Sequence, residues 1–154
     1  MRIERLENVP QALPTIAAWI HREFPHEFVG VPLEDWTRDL WDAQSGSIKT
    51  FVTLENDQVI GTASLDANDL PARPDLSPWL ASVYVPPEHR SRGIASSLIE
   101  RVEHEARTRG VTRLHLHTSD RETFYGERGW VMLERLIAWD HEIVLMVKNL
   151  RDTV

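Results

Sequence analysis

The chain has 154 residues, 42% of them hydrophobic, and no cysteine. It therefore fits one domain, residues 1–154, with a continuous core, and excludes a disulfide framework, a thiolate zinc site and a cysteine nucleophile. Its net charge of −7 argues against a nucleic-acid surface, which needs many Lys and Arg contacts to phosphate, and fits cationic small molecules or amines better.

Arg2-Ile3-Glu4-Arg5-Leu6 alternates polar and apolar residues as a short strand does, and Asn8 or Pro10 can open the helix that follows. Leu13, Ile16, Ala17 and Ile20 recur at helical steps; Leu33, Trp36, Leu40 and Trp41 share one side of a second helix, after Pro25, Gly30 and Pro32. Residues 48–54 and 58–65 read as a hairpin across Glu55-Asn56-Asp57. Residues 66–78 carry Pro71, Pro74 and Pro78 among polar residues and form a long loop, a class often used for function. Residues 79–85 are apolar except Ser82 and Tyr84, as in a central strand.

Ile94, Leu98, Ile99, Val102 and Ala106 then make the stripe of a helix that ends at Gly110. Leu114 and Leu116 alternate with His115 and His117 in a strand; a short helix over 121–127 and strands near 130–137 and 142–147 follow. No 18-residue apolar run exists and the start lacks the apolar region of a signal peptide, so the expectation is a cytoplasmic protein without membrane attachment.

One segment is built to hold phosphate. Between the strand at 79–85 and the helix near Ile94 stands Pro86-Pro87-Glu88-His89-Arg90-Ser91-Arg92-Gly93-Ile94-Ala95-Ser96-Ser97. The prolines end the strand, the small residues let a ligand approach the backbone, and the helix start offers unpaired N–H groups and partial positive charge. Arg90 and Arg92 add full charges. Downstream stands Phe124-Tyr125-Gly126-Glu127-Arg128-Gly129-Trp130.

The pattern Arg90-x-x-Gly93-x-Ala95 resembles the acyl-CoA pyrophosphate loop of the GNAT superfamily of N-acetyltransferases, Gln/Arg-x-x-Gly-x-Gly/Ala, and the downstream segment resembles that family's Phe-Tyr-x-x-x-Gly-Phe. The element order β-α-α-β-β-β-α-β-α-β-β is also that of the GNAT fold. The resemblance implies an α/β (α+β) fold, a mixed, mostly antiparallel sheet of about seven strands flanked by about four helices. It implies transfer of acetyl from acetyl-CoA, as cosubstrate, to a primary amine by direct attack in a ternary complex. The alternative is a noncatalytic acyl-CoA-binding sensor or interaction module of the same fold.

By the same resemblance, the main chain of Val83, Tyr84 and Val85 pairs with pantetheine, while Arg90 and the N–H groups of Ser91, Arg92, Gly93, Ile94, Ala95 and Ser96 grip the pyrophosphate. Tyr125 donates to the departing CoA sulfur. Full proton transfer from a free tyrosine to a thiolate is uphill by roughly 2 kcal/mol, so hydrogen bonding to the developing thiolate is the expected role. Thr118 stands where many relatives have a cofactor-contacting asparagine.

Many relatives also carry a glutamate base on the strand before the loop. Residues 79–85 contain none, which leaves Asp66, Asp69, Glu88, His117 or a water chain. His115 and His117 share a strand face without a convincing third ligand, so no metal is expected. Trp36, Trp41 and Trp130 are expected in the core, and Trp79 is the pocket candidate. The partners expected are acetyl-CoA and an amine of unspecified identity, with no nucleic acid or membrane, in a monomer or homodimer.

Overall fold

The hairpin expected at residues 55–57 closes through Asn56 and Asp57, both left-handed at φ +52° and +63°, the backbone that a tight two-residue turn requires. It joins β2 (Ile48–Glu55) to β3 (Gln58–Asp66) in antiparallel register. Trp139 and Asp140, at φ +50° and +64°, do the same between β6 (Val131–Ala138) and β7 (His141–Asn149). The computed structural model describes residues 1–151. Its other elements are β1 (Arg2–Arg5), α1 (Leu13–Glu23), α2 (Leu33–Ala43), β4 (Trp79–Tyr84), α3 (Ile94–Thr108), β5 (Arg113–Thr118) and α4 (Glu122–Gly126). The chain order is the expected one, in a single seven-stranded sheet ordered β1-β2-β3-β4-β5-β7-β6.

All neighbouring strands run antiparallel except β4 and β5. That parallel pair meets at one bridge, Trp79 opposite His115, beside a 3.1 Å bond from the His115 N–H to the Pro78 carbonyl. Beyond it, Ser82 takes φ +56° and the β3–β4 register shifts between Thr62 and Ser64. The extra residue bends β4 away from its neighbour, and the ladder stops. A cleft opens there.

Strand alternation assigns the two faces. In β2, Phe51 packs with α3 residues Ile94, Leu98, Val102 and Ala106, whereas Val52 and Leu54 pack with Ile16, Ala17 and Ile20 of α1 and Leu40 of α2. Helix α3 lies close on β3 because Gly61 has no side chain: a Cβ there would meet Ile94 Cγ2 at 2.9 Å and Leu98 Cδ1 at 3.0 Å. Gly110, at φ +78°, follows the end of α3 and donates to the Arg107 carbonyl at 2.9 Å.

Some local expectations change. The first helix starts at Leu13, not Asn8 or Pro10, because residues 6–8 and 10–12 form separate single turns. Trp79 is no pocket wall; it is fully buried with Leu70, Ile143 and Leu145, and its indole N–H donates to the Leu76 carbonyl at 2.9 Å. Trp36 packs on the core while Trp41 is 37% exposed, since the turn of α2 that buries Leu40 carries the next residue outward. Among the described residues, no helix is long and apolar enough to cross a membrane.

Candidate active site

Where β4 and β5 part, a cleft of about 1100 Å³ runs into the molecule. One end is formed by the loop before α3. Gly93 occupies the position before the helix at φ +79°, with nothing within 4 Å of where a Cβ would stand, and Ser91 is also left-handed at φ +63°. The first helical bond runs from Ser97 N–H to the Gly93 carbonyl at 3.1 Å. The N–H groups of Ile94, Ala95 and Ser96 therefore precede the ladder and are free to bind an anion.

The two arginines of the motif diverge. Arg90 lines the cleft, donating through Nε to the Val85 carbonyl at 2.9 Å with its guanidinium 5.9 Å from the Tyr84 ring. Arg92 points elsewhere: Nη2 pairs with Glu55 Oε2, and Nη1 lies 3.3 Å from Oε1. Its side chain does not line the cleft; only its main chain remains for phosphate.

Two other arginines occupy this end, and the sequence reading passed over both. Arg121 lines the cleft, as does Arg128, which donates to Ser96 Oγ at 3.0 Å and to the Phe124 carbonyl at 2.7 Å, with its guanidinium 3.6 Å from the Phe124 ring centre. The available signal was Arg128 four residues after Phe124, one helical turn.

Val83, Tyr84 and Val85 line the cleft on the β4 side, where that strand has lost its parallel partner. On the β5 side, Thr118 Oγ1 accepts the Arg121 N–H at 3.0 Å and so braces the entry to α4. Tyr125 is held by α4, its ring edge-on to Phe124 at 5.1 Å and near Trp130 at 6.3 Å. Its hydroxyl has no hydrogen-bond partner among the described residues. Burial pushes its pKa up to about 12, which keeps it an O–H donor at ordinary pH.

Carboxyl groups converge in the same cleft: Glu27 from a one-turn helix, Asp66 at the end of β3 and Asp69 in the long loop, beside His117 of β5 and Trp139 of the β6–β7 turn. Asp69 Oδ2 lies 3.0 Å from His117 Nε2. Glu27, Asp69 and His117 bring one carboxylate oxygen or ring nitrogen each within 4.8 Å of one another, so His117 has two carboxyl neighbours supplied by distant parts of the chain. Burial, reinforced by Asp69, pushes Glu27 to about 7. Burial and Asp69 also push Asp66 to about 7, against a hydrogen bond from the Asn68 backbone. For His117, burial disfavours the charge, but Asp69 outweighs it and holds the imidazole above its ordinary pKa.

Asp66, Asp69 and His117 were thus among the expected bases, whereas Glu88 is exposed and outside the cleft. His115 is engaged with the Pro78 carbonyl at 3.1 Å instead. Glu27 and Trp139 went unremarked in the sequence, because nothing local marks them as neighbours of residues some twenty to ninety positions away.

Comparison with known proteins places this arrangement. A family model described as acetyltransferase (GNAT) family matches residues 13–130. An aminoglycoside 6'-N-acetyltransferase complexed with coenzyme A aligns with TM-score 0.79 and 15% identity, over 100% of this chain and 99% of that one. An aminoglycoside 6'-N-acetyltransferase from Enterococcus faecium gives 0.76 at 15% identity, over 100% and 99%. A ribosomal-protein-alanine N-acetyltransferase from Brucella melitensis gives 0.74 at 21% identity, over 97% and 99%. No curated protein sequence matches the chain.

Proposed function

The chain belongs to the acetyltransferase (GNAT) family, and from that premise we propose that it moves an acetyl group from acetyl-CoA to a primary amine by direct attack in a ternary complex. The observation that carries this reading is one cleft with opposite chemistry in its two parts: Arg90, Arg121, Arg128 and the α3 start in one, Glu27, Asp66 and Asp69 in the other. Such a cleft suits an anionic donor and a cationic acceptor at once.

In this reading the N–H groups of Ser91, Arg92, Gly93, Ile94, Ala95 and Ser96, with Arg90 and Arg128, hold the pyrophosphate. The main chain of Val83, Tyr84 and Val85 takes pantetheine as an added strand, since β4 lacks its neighbour there. Thr118 borders the thioester end. The amine nitrogen attacks the carbonyl carbon, and the C–S bond breaks as Tyr125 hydrogen-bonds the departing sulfur. The whole of residues 1–154 serves as one catalytic domain.

Three carboxyl groups suit an acceptor with several ammonium groups, and aminoglycosides and polyamines are the first to try. The test follows thiol release from acetyl-CoA across aminoglycosides, polyamines, amino acids and free N-terminal peptides. Turnover with at least one amine, lost in Tyr125→Phe, is expected; CoA binding with no turnover on any amine would count against the reading.

A further inference from the structure

Strand β4 carries no carboxylate, yet an ammonium ion cannot attack a thioester until it has lost a proton. We propose that Asp69 and His117 form a proton-accepting dyad in which His117 is the general base of the transfer; this rests on the acetyl-transfer reading above.

The geometry gives the two ring nitrogens different tasks. Nε2 is sealed from solvent and lies 3.0 Å from Asp69 Oδ2, an ion-pair distance whose angle falls outside that of a hydrogen bond. Attraction to the carboxylate favours the proton on that nitrogen and leaves the lone pair on Nδ1. Nδ1 has no protein partner among the described residues, and His117 lines the cleft. The ring is fixed in orientation by Trp139, 5.4 Å away centre to centre, and by Trp79 at 6.0 Å. A base so oriented by a carboxylate meets the geometric demand of general-base catalysis.

Charged and titratable groups surround it on several elements. Asp69 lies in the long loop, Asp66 at the end of β3, Glu27 and His26 on the one-turn helix, and His141 at the start of β7. Proton uptake at His117 makes an imidazolium facing the Asp69 carboxylate, a neutral pair overall. Proton uptake at Glu27, whose Oε2 lies 3.6 Å from His26 Nε2, or at Asp66 leaves a neutral carboxyl and removes a negative charge that would hold a cationic acceptor.

His117 Nδ1 takes the ammonium's first proton and passes it to solvent; as the neutral nitrogen then bonds to the carbonyl carbon, the C=O pair moves onto oxygen and a second nitrogen proton passes to Nδ1. The carbonyl then re-forms as the C–S bond breaks, and its electron pair stays on sulfur, steadied by a hydrogen bond from Tyr125 until the thiolate takes a proton from solvent. His117 afterwards releases its proton to solvent.

Two measurements on the full chain test the dyad. In ¹⁵N-histidine spectra, His117 is expected as the Nε2–H tautomer with a pKa above the ordinary 6.5, and Asp69→Asn lowers that pKa without any need for turnover. In kcat profiles at saturating amine, where the affinity set by Glu27 and Asp66 no longer enters, the rate rises with pH through one inflection. Asp69→Asn moves the inflection down and costs about tenfold, and His117→Gln abolishes it with a loss of about 10²–10³-fold while the KM for acetyl-CoA holds. An Nδ1–H tautomer, or an inflection that survives His117→Gln, overturns the base alone. Bound CoA with no acetylated amine overturns the acetyl-transfer reading, and the base with it.

Discussion

Arg92 is bound to Glu55 at the edge of the β2–β3 turn, so one arginine of the phosphate motif ties two loops together outside the cleft. Arg128, absent from that motif, sits against Ser96 inside it.

The two arginines should therefore separate in binding. A charge-assisted hydrogen bond is worth about 1.5–3 kcal/mol and tenfold corresponds to about 1.4. Calorimetric titration with CoA is expected to show Arg128→Ala weakening affinity about 10–100-fold and Arg92→Ala less than about threefold. The reverse order would show that Arg92 swings inward to the phosphates.

Tyr125→Phe removes one donor aimed at developing charge, a change that typically costs about 10²–10³-fold in kcat. The KM for acetyl-CoA should hardly move. Because burial keeps the Tyr125 proton on up to about pH 12, the wild-type rate should show no descending limb from this group between pH 8 and 10. A limb there that vanishes in Tyr125→Phe would contradict its state as a neutral donor.

Glu27 and Asp66, both raised to about 7, bind protons more tightly in the folded chain than in the unfolded one. Their contribution to stability is thus complete below the ordinary carboxylate pKa, near pH 4, and is lost as pH rises through 7. Each is worth on the order of 3–4 kcal/mol at most across that window. Thermal melts should fall from pH 5.5 to 8, and Glu27→Gln and Asp66→Asn should each flatten the fall. A cationic acceptor favours the ionised forms, so its binding should release protons and tighten as pH rises through 7; an acceptor affinity that weakens instead would exclude these carboxyls from its site.

At Gly61 a side chain would strike Ile94 and Leu98, and overpacking of this kind costs about 1–3 kcal/mol. Gly61→Val should lower the unfolding midpoint and, by displacing the first turn of α3, weaken CoA binding. Gly126→Ala, where nothing lies within 4 Å of the new Cβ, is the control, expected to be neutral or slightly stabilising within a helix. Equal losses in both would mean that α3 has slack against the sheet.

The architecture was legible because local chemistry and burial agree: Asn56-Asp57 makes a tight turn, Phe51 and Val52 face opposite layers, and Gly93 and Gly110 bracket α3. The phosphate end was legible for the same reason, since its contacts come from consecutive main-chain groups. Side-chain directions were not. Whether Arg92 turns to Glu55 or to a ligand depends on a hairpin tip 37 residues away, and the cluster of Glu27, Asp66, Asp69 and His117 assembles from four separate parts of the chain. Trp139, not Trp79, lines the cleft, because Trp79 begins a buried strand and Trp139 sits at φ +50° in a turn, where no periodicity applies.

The lone Trp79–His115 bridge gives the sheet two leaves, β1-β2-β3-β4 and β5-β7-β6, joined at that bridge. Asp66 belongs to one leaf and His117 to the other. An acyl arm lying in the gap would set the spread of the leaves, and with it the width of the acceptor's berth. Donor occupancy would then tune the fit of the amine through the span between the leaves.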